Sequence, residues 1–148
     1  MEEKEFWSLL SLLDWDESGD DDAVIEPVIK SLSKKSIKEI FSFEEILSQK
    51  LFALDTKKHA MEIGEDAYID ENEFFSVDGF LYSRCVVVAN GEELFNEVLK
   101  NPKEFPKDME FEAILSIAQE AYETKTGKEW EHVTEVDYET YSNKSGWK

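Results

Sequence analysis

The chain has 148 residues, the length of one ordinary domain, and its 41% hydrophobic and 13% aromatic content can fill a core, which excludes wholesale disorder. Thirty-five acidic residues against 16 basic ones give a formal net charge of −19 and a pI near 4.4. That sign opposes nucleic acid and anionic membranes, which need Lys and Arg clusters, and it favours a basic protein as partner.

Phe6, Leu9, Leu10 and Leu13, with Trp7 beside them, mark a first amphipathic helix over about Glu3 to Leu13. The acidic run from Asp14 to Asp22 breaks it and supplies caps for the next helix, whose stripe is Val24, Ile25, Val28, Ile29 and Leu32, with Pro27 expected in its first turn. Ser33 is the expected N-cap of a longer helix carrying Ile37, Ile40, Phe41, Glu44, Leu47, Leu51 and Leu54. A further helical piece is expected over Thr56 to Ile63, closed by Gly64, and Glu65 to Val77 reads as an exposed acidic connection.

Phe80, Leu81, Arg84, Cys85 and Val88 share a helical face, although Val86-Val87-Val88 alone suits a strand equally well. A helix, a break at Gly91 and a second helix carrying Leu94, Phe95, Val98 and Leu99 is the favoured reading, stopped by Asn101-Pro102. Phe111, Ile114, Leu115, Ala118 and Tyr122 form the last stripe, closed by Gly127. The expected fold is an all-α single domain of about six helices over residues 1–141, with room for a small β element near the C-terminus and a frayed tail over 142–148.

The single cysteine, Cys85, fits a reducing compartment, and the start Met1-Glu2-Glu3-Lys4-Glu5 lacks the positive region of a signal peptide, so a cytoplasmic location is expected. The longest apolar run, Cys85 to Ala89, is far too short to span a bilayer. His59 and His132 stand in no metal-ligand spacing, and the aspartates from Asp14 to Asp22 do not align with a calcium loop, whose twelfth position here is Ile25. No metal or cofactor is expected, and with no nucleotide loop or nucleophile elbow the chain does not read as an enzyme. Cys85 sits on an apolar stripe and reads as a small buried hydrophobe. Arg84 is the only arginine, and its apolar neighbours imply a guanidinium that is partly buried or lines a groove and needs a carboxylate partner, from Asp78, Glu112 or Asp55.

The run Asp78-Gly79-Phe80-Leu81-Tyr82-Ser83-Arg84-Cys85-Val86-Val87-Val88-Ala89-Asn90-Gly91, followed by Glu92 to Pro102, resembles the central motif of domain-of-unknown-function family 4240. The shared pattern is an Asp-x-Phe-x-x-x-Arg helix, a glycine break, a short helix and an Asp/Asn-Pro stop. The likeness extends from Phe6-Trp7 to Ala121-Tyr122-Glu123 and Lys125-Thr126-Gly127. Where members often carry a further acid before the Asp, this chain has Ser76-Val77. The resemblance implies a compact, mainly helical bacterial domain in which Val86 to Ala89 is helix. It implies no activity, and it leaves Asp78, Phe80 and Arg84 as the residues that form either a ligand site or a structural ion pair.

Size, charge and the lack of a catalytic constellation together favour an interaction protein: an immunity protein or antitoxin that blocks a basic, nuclease-type toxin. The expected partner-binding residues are Asp14, Asp16, Glu17, Asp20, Asp21 and Asp22 in one stretch and Glu62, Glu65, Asp66, Asp70, Glu71 and Glu73 in another, neither of which contains a basic residue. The alternatives are a small-ligand or catalytic domain built around Arg84 and Asp78, and an accessory scaffold.

Overall fold

Apolar residues at helical spacing become helices throughout the chain, which the computed structural model describes from Met1 to Lys148. There are seven: α1 (Glu3–Leu10), α2 (Asp21–Ser33), α3 (Ile37–Ala53), α4 (Lys57–Ala60), α5 (Val77–Ala89), α6 (Glu92–Lys100) and α7 (Ile117–Thr126). No strand forms, and no helix is long and apolar enough to cross a membrane.

The centre of the fold is α5. Phe80, Leu81 and every residue from Ser83 to Ala89 are buried, so from Ser83 onward the helix is buried on all sides rather than along one stripe. That burial explains why Val86-Val87-Val88 shows no helical period of its own. Helices α3 and α6 and the turn before α7 pack on it, while α2 lies along α7 and carries Val24, Ile25, Val28, Ile29 and Leu32 into the core.

Several boundaries differ from the pattern reading. The first helix ends at Leu10, and Leu13 reaches the core from the turn that follows. Asp20 caps α2 by accepting the Ala23 N–H, so the helix starts earlier than its apolar stripe and Pro27 falls inside it, beyond the first turn. Ser33 is the last residue of α2; the cap of α3 is Ser36, whose hydroxyl accepts the Glu39 N–H while the Glu39 carboxylate reaches back to Ser36. The piece after Thr56 shortens to four residues. Glu112–Ser116 winds as a 3-10 segment before α7, and Gly127 closes α7 in the left-handed conformation.

The largest departure is at the C-terminus. Residues 142–148 do not fray: the Trp147 indole packs against Tyr68, Phe75, Phe80 and Tyr141, and its Nε1–H donates to Asp55 at 2.8 Å. Residues 131–140 run as an extended strap in place of a β element, with even-numbered positions turned toward the body and odd-numbered ones exposed. Their period of two is that of a strand, but no partner strand lies alongside.

His59 ties α4 to α6. Its Nε2 stands 2.9 Å from the Val98 carbonyl, which can only accept, so Nε2 carries the proton and Nδ1 accepts from the Thr56 hydroxyl at 2.6 Å. Burial pulls the imidazole below its ordinary value of 6.5, against the opposing effect of the Val98 carbonyl. A histidine held neutral in this way contributes stability that is complete above the unfolded value and is lost as the pH falls below it through the folded value. The prediction is that His59 titrates below 6.5 by NMR and that urea midpoints decline on acidification across that window; a midpoint insensitive to His59→Gln at both ends of it would refute the assignment.

Candidate functional site

The only arginine is fully buried, and its partners are not the expected carboxylates. Arg84 Nη1 donates to the Leu51 carbonyl and the Tyr138 carbonyl, each at 2.9 Å, and Nη2 donates to the Thr140 hydroxyl at 3.0 Å. The guanidinium lies over the Phe80 ring, 4.6 Å from its centroid. Asp78 is exposed, in the first turn of α5, and makes no ion pair with Arg84; the paired reading of Asp78 with Arg84 is therefore corrected. Arg84 at 0% exposure presents no surface to a ligand.

The nearest counter-charge acts through space. Asp55 is also 0% exposed, and it accepts from the Tyr141 N–H, the Asn143 N–H and the Trp147 indole at 3.3, 3.0 and 2.8 Å. Burial lowers the affinity of Arg84 for its proton, and Asp55 is the first charge to oppose that. Leu51 and Phe52 lie in the last turn of α3, where carbonyls begin to lack helical partners; Arg84 donates to the Leu51 carbonyl, and the Asn143 amide joins the Asp55 N–H on that of Phe52. One stretch, Tyr138 to Trp147, thus supplies acceptors to the buried base and donors to the buried acid. Cys85, next to Arg84, is fully buried, and burial drives its thiol well above the ordinary range, so it is a core side chain.

The second acidic stretch is a loop as expected, whereas in the first Asp16 and Glu17 lie in a 3-10 turn and Asp21 and Asp22 begin α2; all the carboxylates are exposed except Asp14 and Glu62, which are half-buried. Of the twelve, Glu62 alone makes an ion pair, with Lys107 at 3.3 Å. The loop after α4 is fastened by Asp108, whose carboxylate accepts the Glu65 N–H at 2.8 Å and whose own N–H donates to the Ile63 carbonyl at 2.9 Å. Gly64 permits this: its φ is +111°, and a Cβ there would stand 2.2 Å from the Asp108 carboxylate.

Between the loops runs a third set of acids that pattern reading missed. Asp21 and Asp22 share a surface hollow with Glu112, and Glu65 and Asp66 share another with Asp108 and Glu110. Asp108, Glu110 and Glu112 are all exposed and alternate in sequence, from Asp108 in the left-handed region to Glu112 at the start of the 3-10 segment, with Phe111 buried and its ring 5.1 Å from that of Trp15. The alternation Asp108-Met109-Glu110-Phe111-Glu112 was the available signal. The two loops and this bridge form one acidic face. Phe74, at 92% exposure, and Ile69, at 68%, stand exposed among the acids of the second loop.

A second pocket, of about 340 Å³, lies between α3 and the strap, with Glu44, Trp130, His132 and Tyr138 in its wall. Glu44 is 7% exposed, and burial, with Glu45 beside it, pushes its carboxyl up to about 7. His132 stacks on Phe41 at 4.3 Å and places Nε2 2.9 Å from Glu45.

Two predictions follow from these buried charges. Arg84→Ala strips hydrogen bonds from three buried acceptors and leaves Asp55 without its counter-charge, so urea unfolding is expected to show a loss of about 3–5 kcal/mol, with Arg84→Lys recovering only part because it lacks the planar fork. A change within about 0.5 kcal/mol would contradict that placement. Glu44 is neutral in both states below its unfolded value of 4.5, so its folded value near 7 removes stability progressively as the pH rises between the two. Glu44→Gln is expected to flatten that slope and to stabilise the protein at pH 8 by up to roughly 3 kcal/mol.

No curated protein and no solved structure is recognisably similar to the chain. A family model described as a protein of unknown function (DUF4240) matches residues 1–124, which takes in α1 to α6 and most of α7 and stops before the strap that covers Arg84 and Asp55. With that match extending over most of its length, the chain belongs to the DUF4240 family.

Proposed function

We propose that this protein is a cytoplasmic interaction domain that binds a basic protein through its acidic face, acting as an immunity protein or antitoxin against a nuclease-type toxin. The observation that carries the reading is the continuity of the face. Acids from the first turn of α2 adjoin Glu112, acids from the loop after α4 adjoin Asp108 and Glu110, and of the twelve acids in the two stretches only Glu62 is paired with a lysine. A nuclease must present cationic surface to hold phosphate, and a contiguous field of opposite sign accelerates encounter with such a surface. Charge alone gives rate rather than tight binding, which needs apolar anchors inside a polar rim. Phe74 and Ile69 fit that requirement, since both stand exposed among Asp70, Glu71 and Glu73 and neither is needed to fill the core.

The single, buried cysteine is consistent with a reducing cytoplasm. Arg84, fully enclosed, is assigned to holding the fold, and the proposed function is binding rather than catalysis.

The partner is to be identified by affinity capture from the native host with mass spectrometry, and its association is then to be followed by stopped flow. The rate constant is expected to fall about tenfold or more with rising ionic strength. Replacing Asp20, Asp21 and Asp22 by Asn, or Glu65, Asp66 and Asp70 by their amides, is expected to slow association while changing stability by less than about 1 kcal/mol. Phe74→Ala is expected to speed dissociation with little effect on the association rate and within about 0.5 kcal/mol of parent stability. A partner without nuclease activity would refute the toxin assignment, and a rate indifferent to salt and to both triple replacements would refute the acidic face.

A further inference from the structure

The pocket beneath the strap contains a carboxyl with no partner in the protein. Glu44 is more than nine-tenths buried, yet it forms no ion pair and the neighbouring donors go elsewhere: His132 Nε2 and the Glu135 N–H both turn to Glu45, at 2.9 and 3.2 Å. A carboxyl taken this far out of water strongly favours a counter-charge or hydrogen-bond donors, and the protein supplies neither. The rest of the wall narrows what could. Asp137 and Glu139 stand at the rim and no lysine lines the pocket, so an anion is repelled. No three ligating side chains converge as a metal ion would require. Trp130 and Tyr138 contribute aromatic rings, whose faces attract organic cations and also cover methylene groups. The volume, about 340 Å³, falls in the lower part of the roughly 300–1,000 Å³ range typical of small-ligand sites.

We infer that this pocket binds a protonated aliphatic amine, whose ammonium group pairs with Glu44 while its carbon chain lies against Trp130 and Tyr138. None of the twelve loop acids takes part, so the inference stands apart from the acidic-face reading. The same chemistry reaches the pocket either as a free diamine or as the lysine side chain of a protein.

The test is titration of the full chain with putrescine and, separately, with N-acetyl-lysine methylamide, followed by calorimetry and by amide and indole chemical shifts; 1-butanol serves as the uncharged control. Saturable binding of at least one amine is expected, with shifts centred on Trp130 and residues 132–139. Tighter binding of putrescine identifies a free diamine, and tighter binding of the lysine derivative identifies a side chain. Glu44→Gln, which keeps the shape and removes the charge, is expected to weaken binding by about tenfold or more, the scale of a charge-assisted hydrogen bond. The double replacement Asp137→Asn with Glu139→Gln removes only exposed rim charge and is expected to cost less than about fivefold. The inference is overturned if neither amine saturates, if butanol binds as well, if Glu44→Gln binds like the parent, or if the rim replacement costs as much as Glu44→Gln.

Discussion

Two opposite charges, buried without touching, set the terms on which the rest of the chain must pack. Arg84 sits in the middle of α5 and Asp55 just beyond the end of α3, each at 0% exposure. Left to themselves, both would be uncompensated ions in a low-dielectric interior. The chain solves this with its last segment, whose Tyr138 carbonyl and Thr140 hydroxyl accept from the base and whose Tyr141, Asn143 and Trp147 N–H groups donate to the acid. The helical body and the strap are therefore one cooperative unit, and a chain cut after α7 would expose or strand both charges. Gly146 shows how closely the end is seated: a Cβ there would lie 2.8 Å from the Asp55 carbonyl.

Much of the helical framework was legible in the sequence, because helices with one buried face announce themselves by spacing. The stripes of α1, α2, α3 and α6 correspond to buried or half-buried residues except Ile37 and Leu99, which are exposed, and the stops at Gly91 and Asn101-Pro102 fall where the backbone turns. The errors came from local chemistry that apolar spacing does not report. Ser33 and Ser36 are equally good caps by type, and only the reciprocal bond with Glu39 distinguishes them. The tail was unreadable as a helix because it is none: its burial alternates with a period of two along a single extended strand-like run, and its aromatic residues find their partners some 60 to 90 residues earlier in the chain.

The candidate sites were legible to different degrees. That Arg84 is buried could be inferred from its apolar neighbours, but its partners could not, since backbone carbonyls leave no trace in residue types. The two acidic loops were visible as charge runs; the bridge from Asp108 to Glu112 was not, because three acids in alternation with Met109 and Phe111 form no run. Glu44 fell on the apolar stripe of its helix, which places it inward, but spacing does not report what it meets there. It stands in a helical sequence rich in acids, and only the fold separates it from Glu45, which meets a histidine, while Glu44 meets none.

The strap itself carries a further consequence. From residue 129 to 138 it makes no backbone–backbone hydrogen bond; side chains take the Trp130 and Glu135 N–H groups and the Val136 and Tyr138 carbonyls, and the remaining peptide groups are left open. Such an edge is a template on which another chain could add a strand and begin an aggregate. Its solvent-facing positions are Glu131, Val133, Glu135, Asp137 and Glu139, and four of these five are acids. Two straps brought side by side would set like charges against each other at each of those four places. The carboxylates along this edge act as gatekeepers, keeping an unpaired strand soluble in a protein that has no sheet to shelter it.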